Sequence, residues 1–178
     1  MISMFEHLFN SGVMKIDPGR KVGVFNLEVI SKFPALRKAE MEKLRWMEGD
    51  WNAENSVRAT RVSPAYVDTY PYTYRFCEDG ATLCIVRGGK EVPNITYDAF
   101  SKKWLLLMPG GGAFGMLTSA GWSGDSIEFT GHVLMLGYEC DLRTTLTHRS
   151  DREYYMSNHE RQPDGTWTLV DDWVFRKC

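Results

Sequence analysis

Glu139-Cys-Asp-Leu-Arg-Thr-Thr-Leu-Thr-His148, a short break, Glu153 to Arg161, then Gln162-Pro-Asp-Gly165 and Thr166 to Arg176: this stretch decides how the chain folds. It reads as three strands joined by two tight turns. Pro163 presets φ and Gly165 accepts a positive φ, so Pro163-Asp164-Gly165 is turn chemistry. Beyond it Trp167, Leu169, Trp173 and Phe175 fall on one face at period two, and Asp171 is the polar member of that face. A meander of this kind is the closing part of a barrel.

Upstream the same period recurs. Trp51, Ala53, Asn55, Val57 and Ala59 share a face from Asp50 onward. After Ser63-Pro64, Tyr66, Asp68, Tyr70, Tyr72, Tyr74 and Phe76 form an aromatic stripe. Glu78-Asp79-Gly80 is a hairpin signal. Strands follow at Leu83–Arg87, Asn94–Phe100, Trp104–Met108, Phe114–Trp122 and Ile127–Leu136. Pro109-Gly-Gly-Gly112 lacks the Lys-Ser/Thr of a phosphate loop and reads as a bend. Short strands with a turn at almost every junction imply antiparallel neighbours, and so many twisted strands tend to close or split. The fold predicted is all-β: a closed antiparallel up-and-down β-barrel of about nine or ten strands with an N-terminal helical segment, a β-sandwich being the alternative. Residues 1–43 form an extension, with Met4, Phe5, Leu8 and Phe9 on one side of a short helix. Pro34 opens a second helix over about 34–47, whose face carries Leu36, Ala39, Leu44 and Met47, ended by Gly49. That helix is placed to cap one end of a barrel spanning 44–178.

The 178 residues fit one domain with a core of its own. A net charge of −2 supplies no concentrated positive field, which speaks against nucleic acid as a partner. No apolar run approaches the roughly 20 residues a helix needs to span a bilayer, so no membrane is expected. Cys77, Cys84, Cys140 and Cys178 lack zinc spacing and are expected as free thiols in a reducing, cytoplasmic setting. The apolar content of residues 1–33 points to packing on the barrel or on a second copy, a homodimer through the N-terminal extension.

Polar residues on an inward face are the informative ones, because a buried polar group needs a partner. With simple hairpins centred on Ser150-Asp151 and Pro163-Asp164, Arg143 lies opposite Asn158, Asp141 opposite Glu160, and Met156 opposite Asp171. Arg143, Asn158, Glu160 and Asp171 then join Trp173 on the inward wall, with Arg143 able to clamp a carboxylate. On the other parity Cys140, Leu142 and Leu146 point in, with Tyr155, Ser157 and His159. A single bulge reverses a strand's assignment, so both parities stay open. Arg143, Asn158, Glu160, Asp171 and Trp173, together with Trp51, Asn55, Tyr72 and Tyr74, are the candidate ligand-binding set. His132, His148 and His159 are isolated, and none forms a metal-binding pair.

Leu44-Arg-Trp-Met-Glu-Gly-Asp-Trp51 resembles the L-x-x-L-x-G-x-W opening of lipocalin-like barrels, the calycin superfamily. Gly121-Trp-Ser-Gly-Asp-Ser-Ile-Glu-Phe-Thr-Gly131, the Arg143-Thr-Thr-Leu-Thr run and Asp164-Gly-Thr-Trp through Trp173-Val-Phe-Arg-Lys177 are similar to an uncharacterised bacterial group of such barrels. The resemblance covers about residues 44–177 and implies a barrel that binds a small apolar or amphipathic molecule. The haem-binding nitrobindin-like barrels are related in fold. Here their Gly-x-Trp-x-Gly-x-Gly opening is replaced by Gly49-Asp-Trp51-Asn-Ala-Glu-Asn55, and no proximal histidine stands near Trp173. Binding of a hydrophobic or carboxylate-bearing ligand is the leading expectation. The alternatives are a barrel isomerase, cyclase or decarboxylase using tyrosine and carboxylate acid–base groups, a haem protein, and an oligomerisation module.

Overall fold

The computed structural model describes residues 2–110 and 112–178. Thirteen strands run from β1 (Met14–Ile16), β2 (Gly23–Phe25) and β3 (Gly49–Val57) through β4 (Tyr66–Phe76), β5 (Thr82–Arg87) and β6 (Lys90–Asp98). They continue through β7 (Lys103–Gly110), β8 (Ala113–Ser119), β9 (Trp122–Ser123) and β10 (Ser126–Met135) to the meander β11 (Tyr138–Ser150), β12 (Glu153–Arg161) and β13 (Trp167–Lys177). Ten of them close on themselves antiparallel, in the order β3-β4-β5-β6-β7-β8-β10-β11-β12-β13 and back to β3. Each barrel strand therefore has a hydrogen-bonded neighbour on both sides. The bend expected at Pro109–Gly112 includes Gly111, which lies outside the described residues.

The N-terminal segment contains α1 (Met4–Asn10), the β1–β2 ribbon, α2 (Leu27–Ile30) and α3 (Phe33–Met41). Ser3 and Glu6 form a reciprocal capping box on α1. This segment meets the β6–β7 turn where His7 and Phe33 pack on Phe100. The helix expected over 34–47 is not uniform. It is α-helical to Met41 and tightens to a 3-10 helix over Glu42–Met47. The buried residues explain the change. Met41, Leu44 and Met47 are spaced by three and all enter the core, and a 3-10 turn stacks i and i+3 in one line. Leu36, expected on the buried face, lies half exposed.

The interior is continuous from this 3-10 turn through Trp51, Leu83, Ile95, Leu117, Phe129, Tyr154 and Phe175. Trp51 lies at its centre. Its Nε1 donates to the Met47 carbonyl at 2.8 Å, and its ring meets Trp46 and Tyr154 edge-on.

The free-thiol expectation is corrected at two positions. Cys77 and Cys84 form a disulfide across the β4–β5 hairpin, seven residues apart, while Cys140 and Cys178 are free. Adjacent strands bring the two sulfurs together, a proximity their linear spacing does not reveal. Closing so short a loop restricts the unfolded chain by about 2 kcal/mol. Replacing the pair by Cys77→Ser with Cys84→Ala is expected to lower the unfolding free energy by about that amount in a urea titration. An unchanged midpoint would show that the bridge adds nothing.

Candidate functional site

Three register shifts decide which side chains enter the barrel. Between His148 and Ser150 the β11 ladder skips Arg149, so Thr144, not Arg143, stands opposite Asn158. On β13, Asn158 pairs with Asp171 and His159 with Leu169, which leaves Val170 bulged. On β6, Asn94 is skipped between the pairs Leu83–Ile95 and Cys84–Pro93. Each bulge turns the following side chains over.

The consequence on β11 is a correction. Leu142, Thr144 and Leu146 face inward, and Arg143 lies on the outer surface, with its guanidinium 4.9 Å from the Trp167 ring centroid. The Val170 bulge divides the face expected for β13. Asp171, Trp173 and Phe175 line the interior, whereas Trp167 lies beside Arg143 outside. The inward partners on β12 are Met156 and Asn158 rather than Tyr155 and His159.

These residues border an internal cavity of about 330 Å³. Its walls are mainly apolar, with Met47, Ile85, Leu106, Met108, Met156 and Phe175 prominent. One wall carries a polar chain. Asn55 Nδ2 donates to Asp171 Oδ2 at 3.1 Å, and Asn158 Nδ2 donates to Asp171 Oδ1 at 2.7 Å. Thr144 Oγ1 donates to Asn158 Oδ1 at 2.7 Å, which fixes the amide's orientation. Asn55 is buried behind this wall, and Thr144, Asn158 and Asp171 reach the cavity. Tyr72 and Trp173 border the same space, with ring centroids 6.0 Å apart and planes nearly perpendicular. Burial pushes the Tyr72 hydroxyl above its usual range. Deeper in, the Tyr154 hydroxyl donates to that of Tyr74 at 3.1 Å, and burial raises both well above a free phenol.

β4 and β5 are paired over only part of their length. Their ladder has three pairs, ending at Tyr74–Ile85, although both strands continue. Tyr72 and Arg87, the next positions facing inward, both border the cavity. Arg87 is exposed and makes no ion pair or side-chain hydrogen bond among the described residues. Thr144, Met156 and Arg87 were missing from the sequence-derived set. Arg87 was legible as the inward successor of Leu83 and Ile85 at period two. Thr144 was hidden by the Arg149 bulge.

Of the nine residues expected at the site, the fold brings Tyr72, Tyr74, Asn158, Asp171 and Trp173 to the cavity, with Asn55 in direct contact behind them. Trp51 is packed in the core beyond it. Glu160 stands near the rim, where its carboxylate accepts from the Tyr138 hydroxyl at 2.6 Å. That contact and Tyr70–Asp68 are the tyrosine–carboxylate hydrogen bonds among the described residues, and neither carboxylate borders the cavity. A haem needs an axial ligand from the wall. None of His132, His148 and His159 borders the cavity, so the histidines do not fit that group. The His148 ring lies tilted against that of Trp46, with centroids 4.3 Å apart, at the end of the barrel that the 3-10 turn occupies.

The two outer histidines face opposite electrostatics. His132 Nδ1 lies 3.0 Å from Asp141, and that hydrogen bond raises its pKa above 6.5. His159 is pushed below 6.5 by burial and then by Arg143, with Glu128 pulling the other way. An NMR titration is expected to show His159 losing its proton at lower pH than His132. Stability from His132 is full below the unfolded imidazole pKa and fades as pH rises through the raised folded value. For His159 the sign reverses. Its contribution is full above the unfolded pKa and is lost as pH falls through the depressed one. The opposite titration order would contradict both environments.

The fold and its interior thus define a closed ten-strand barrel with an internal cavity. Among solved structures it is similar to the crystal structure of Rv2717c from M. tuberculosis, with a TM-score of 0.53 and 13% identity, over 78% of this chain and 97% of that one. A redesigned β-barrel is more distant, with a TM-score of 0.37 and 11% identity, over 75% of this chain and 93% of that one. At 13% identity the likeness to Rv2717c is one of fold. No family model and no curated protein sequence matches this chain. No helix among the described residues is long and apolar enough to cross a membrane.

Proposed function

We propose that this barrel binds one small apolar or amphipathic molecule in its interior. The observation that carries the reading is the cavity of about 330 Å³, with apolar walls and one oriented polar chain, Thr144–Asn158–Asp171. Small-molecule sites combine concave apolar lining with a few placed polar groups, and this volume lies at the lower end of their range. The ligand-binding residues are then Tyr72, Tyr74, Asn158, Asp171 and Trp173, with Asn55 supporting Asp171 from behind. A carboxylate-bearing ligand loses its expected clamp, because Arg143 is outside. In a reducing cytoplasm, the location expected from the sequence, Cys77 and Cys84 would stand as thiols.

The test is native mass spectrometry of protein purified without added ligand, followed by titration with the neutral apolar dye Nile red. A retained small mass or a saturable fluorescence gain is expected, and Met156→Trp, which fills the cavity, abolishes it. Protein that emerges empty and gives no saturable gain with the dye would overturn the reading. A companion proposal is a homodimer through the N-terminal extension, where Met4, Phe5, Phe25 and Leu27 are exposed. Removing residues 1–33 should then halve the mass in solution, and an unchanged mass counts against it.

A further inference from the structure

We infer that the cavity selects a ligand with a cationic head, an organic ammonium held against Asp171 and the rings of Tyr72 and Trp173. This deepens the proposed function and rests on the cavity being a ligand site.

The argument begins with charge. Among the described residues Asp171 is the only carboxylate bordering the cavity, and no arginine, lysine or histidine lies within ion-pair distance of it. The nearby ion pair belongs to Asp172, which faces the other side of β13 and binds Arg58. Asp171 instead receives two neutral amide N–H groups, from Asn55 and Asn158. A carboxylate offers about four acceptor positions, so two stay free for a ligand. An ionised carboxylate without an ion-pair partner is favoured by an opposite charge brought within about 4–6 Å.

The second observation is the arrangement of aromatic faces. Trp173 follows Asp171 by two on the same face of β13, and Tyr70 and Tyr72 meet its ring at 5.7 and 6.0 Å between centroids. Tyr72 also meets Phe175 at 5.3 Å. Several ring faces beside one carboxylate suit an ammonium, because the aromatic quadrupole presents its negative face to the charge. The same surroundings disfavour an anion. Arg87, on β5 beyond the last β4–β5 pair, is exposed, and a solvent-screened charge there contributes little to holding a carboxylate. The methionines and aliphatic residues beyond Tyr72 take the apolar remainder of the molecule.

The test compares three probes of equal chain length: decyltrimethylammonium, decanol and decanoate. Dissociation constants are measured by calorimetry below the micelle concentration. Decyltrimethylammonium is expected to bind at least tenfold more tightly than decanol, and decanoate most weakly. Asp171→Asn should reduce the ammonium-to-decanol preference at least tenfold. Tyr72→Leu, which leaves the polar chain intact, should reduce it severalfold. Equal binding of ammonium and decanol, a preference for decanoate, or an undiminished preference in both variants would overturn the cationic head while leaving the cavity reading in place. Failure of all three probes to bind would overturn the cavity reading itself.

Discussion

Trp51→Ala is expected to lower the unfolding free energy by about 4 kcal/mol, because truncating a buried tryptophan removes transfer energy and leaves a cavity. The indole is fully buried, stacks edge-on with Trp46 and Tyr154, and satisfies the Met47 carbonyl. That hydrogen bond ties the 3-10 turn to the first barrel strand, so its loss frees the turn as well as the core. A loss of about 4 kcal/mol is a large share of a typical domain's total, and for a chain of this size it corresponds to a fall of about 10 °C in Tm. Thermal unfolding followed by circular dichroism reads it directly. Trp51→Phe retains most of the area and should cost about half as much. An unchanged Tm with weakened probe binding would instead make Trp51 a ligand contact, the role its sequence position suggested.

Gly131→Ala should cost about 3 kcal/mol, at the upper end of what overpacking imposes. A Cβ built on Gly131 would lie 2.5 Å from the Met116 carbonyl oxygen and 2.9 Å from the Leu117 Cα. Both are backbone atoms of β8, so no side chain can swing aside, and β8 and β10 would have to separate. Gly124→Ala is the informative control. Its φ is +58°, and nothing lies within 4 Å of the added Cβ. Backbone strain alone then applies, about 1 kcal/mol. A urea titration in which the two alanines cost the same would show that β8 relaxes around Gly131.

The legibility of the site differed strand by strand. Trp51, Ala53 and Asn55 share an inward face as period two required, and Tyr72 and Tyr74 do likewise on β4. Those positions lie on ladders without a register shift. Arg143 was misplaced because Arg149 is bulged out, and Trp167 because the Gln162–Thr166 turn and the Val170 bulge shift the β12–β13 pairing near the turn. Asp171 keeps its face, since the two shifts on that ladder together amount to two residues. Arginine and valine carry no mark of a bulge in a single sequence.

What the sequence determined by itself is most of the barrel strands and their antiparallel succession, with closure favoured over a β-sandwich. These follow from alternation and turn chemistry, which act over neighbouring residues. Only the tertiary structure decided the rest. It placed Cys77 beside Cys84, drew the 3-10 turn into the core, and gathered Asn55, Thr144, Asn158 and Asp171 from four strands into one hydrogen-bonded wall. The physical reason is parity. A strand's pattern specifies two faces, and a one-residue bulge, set by how neighbouring strands fit, chooses which of them meets the cavity.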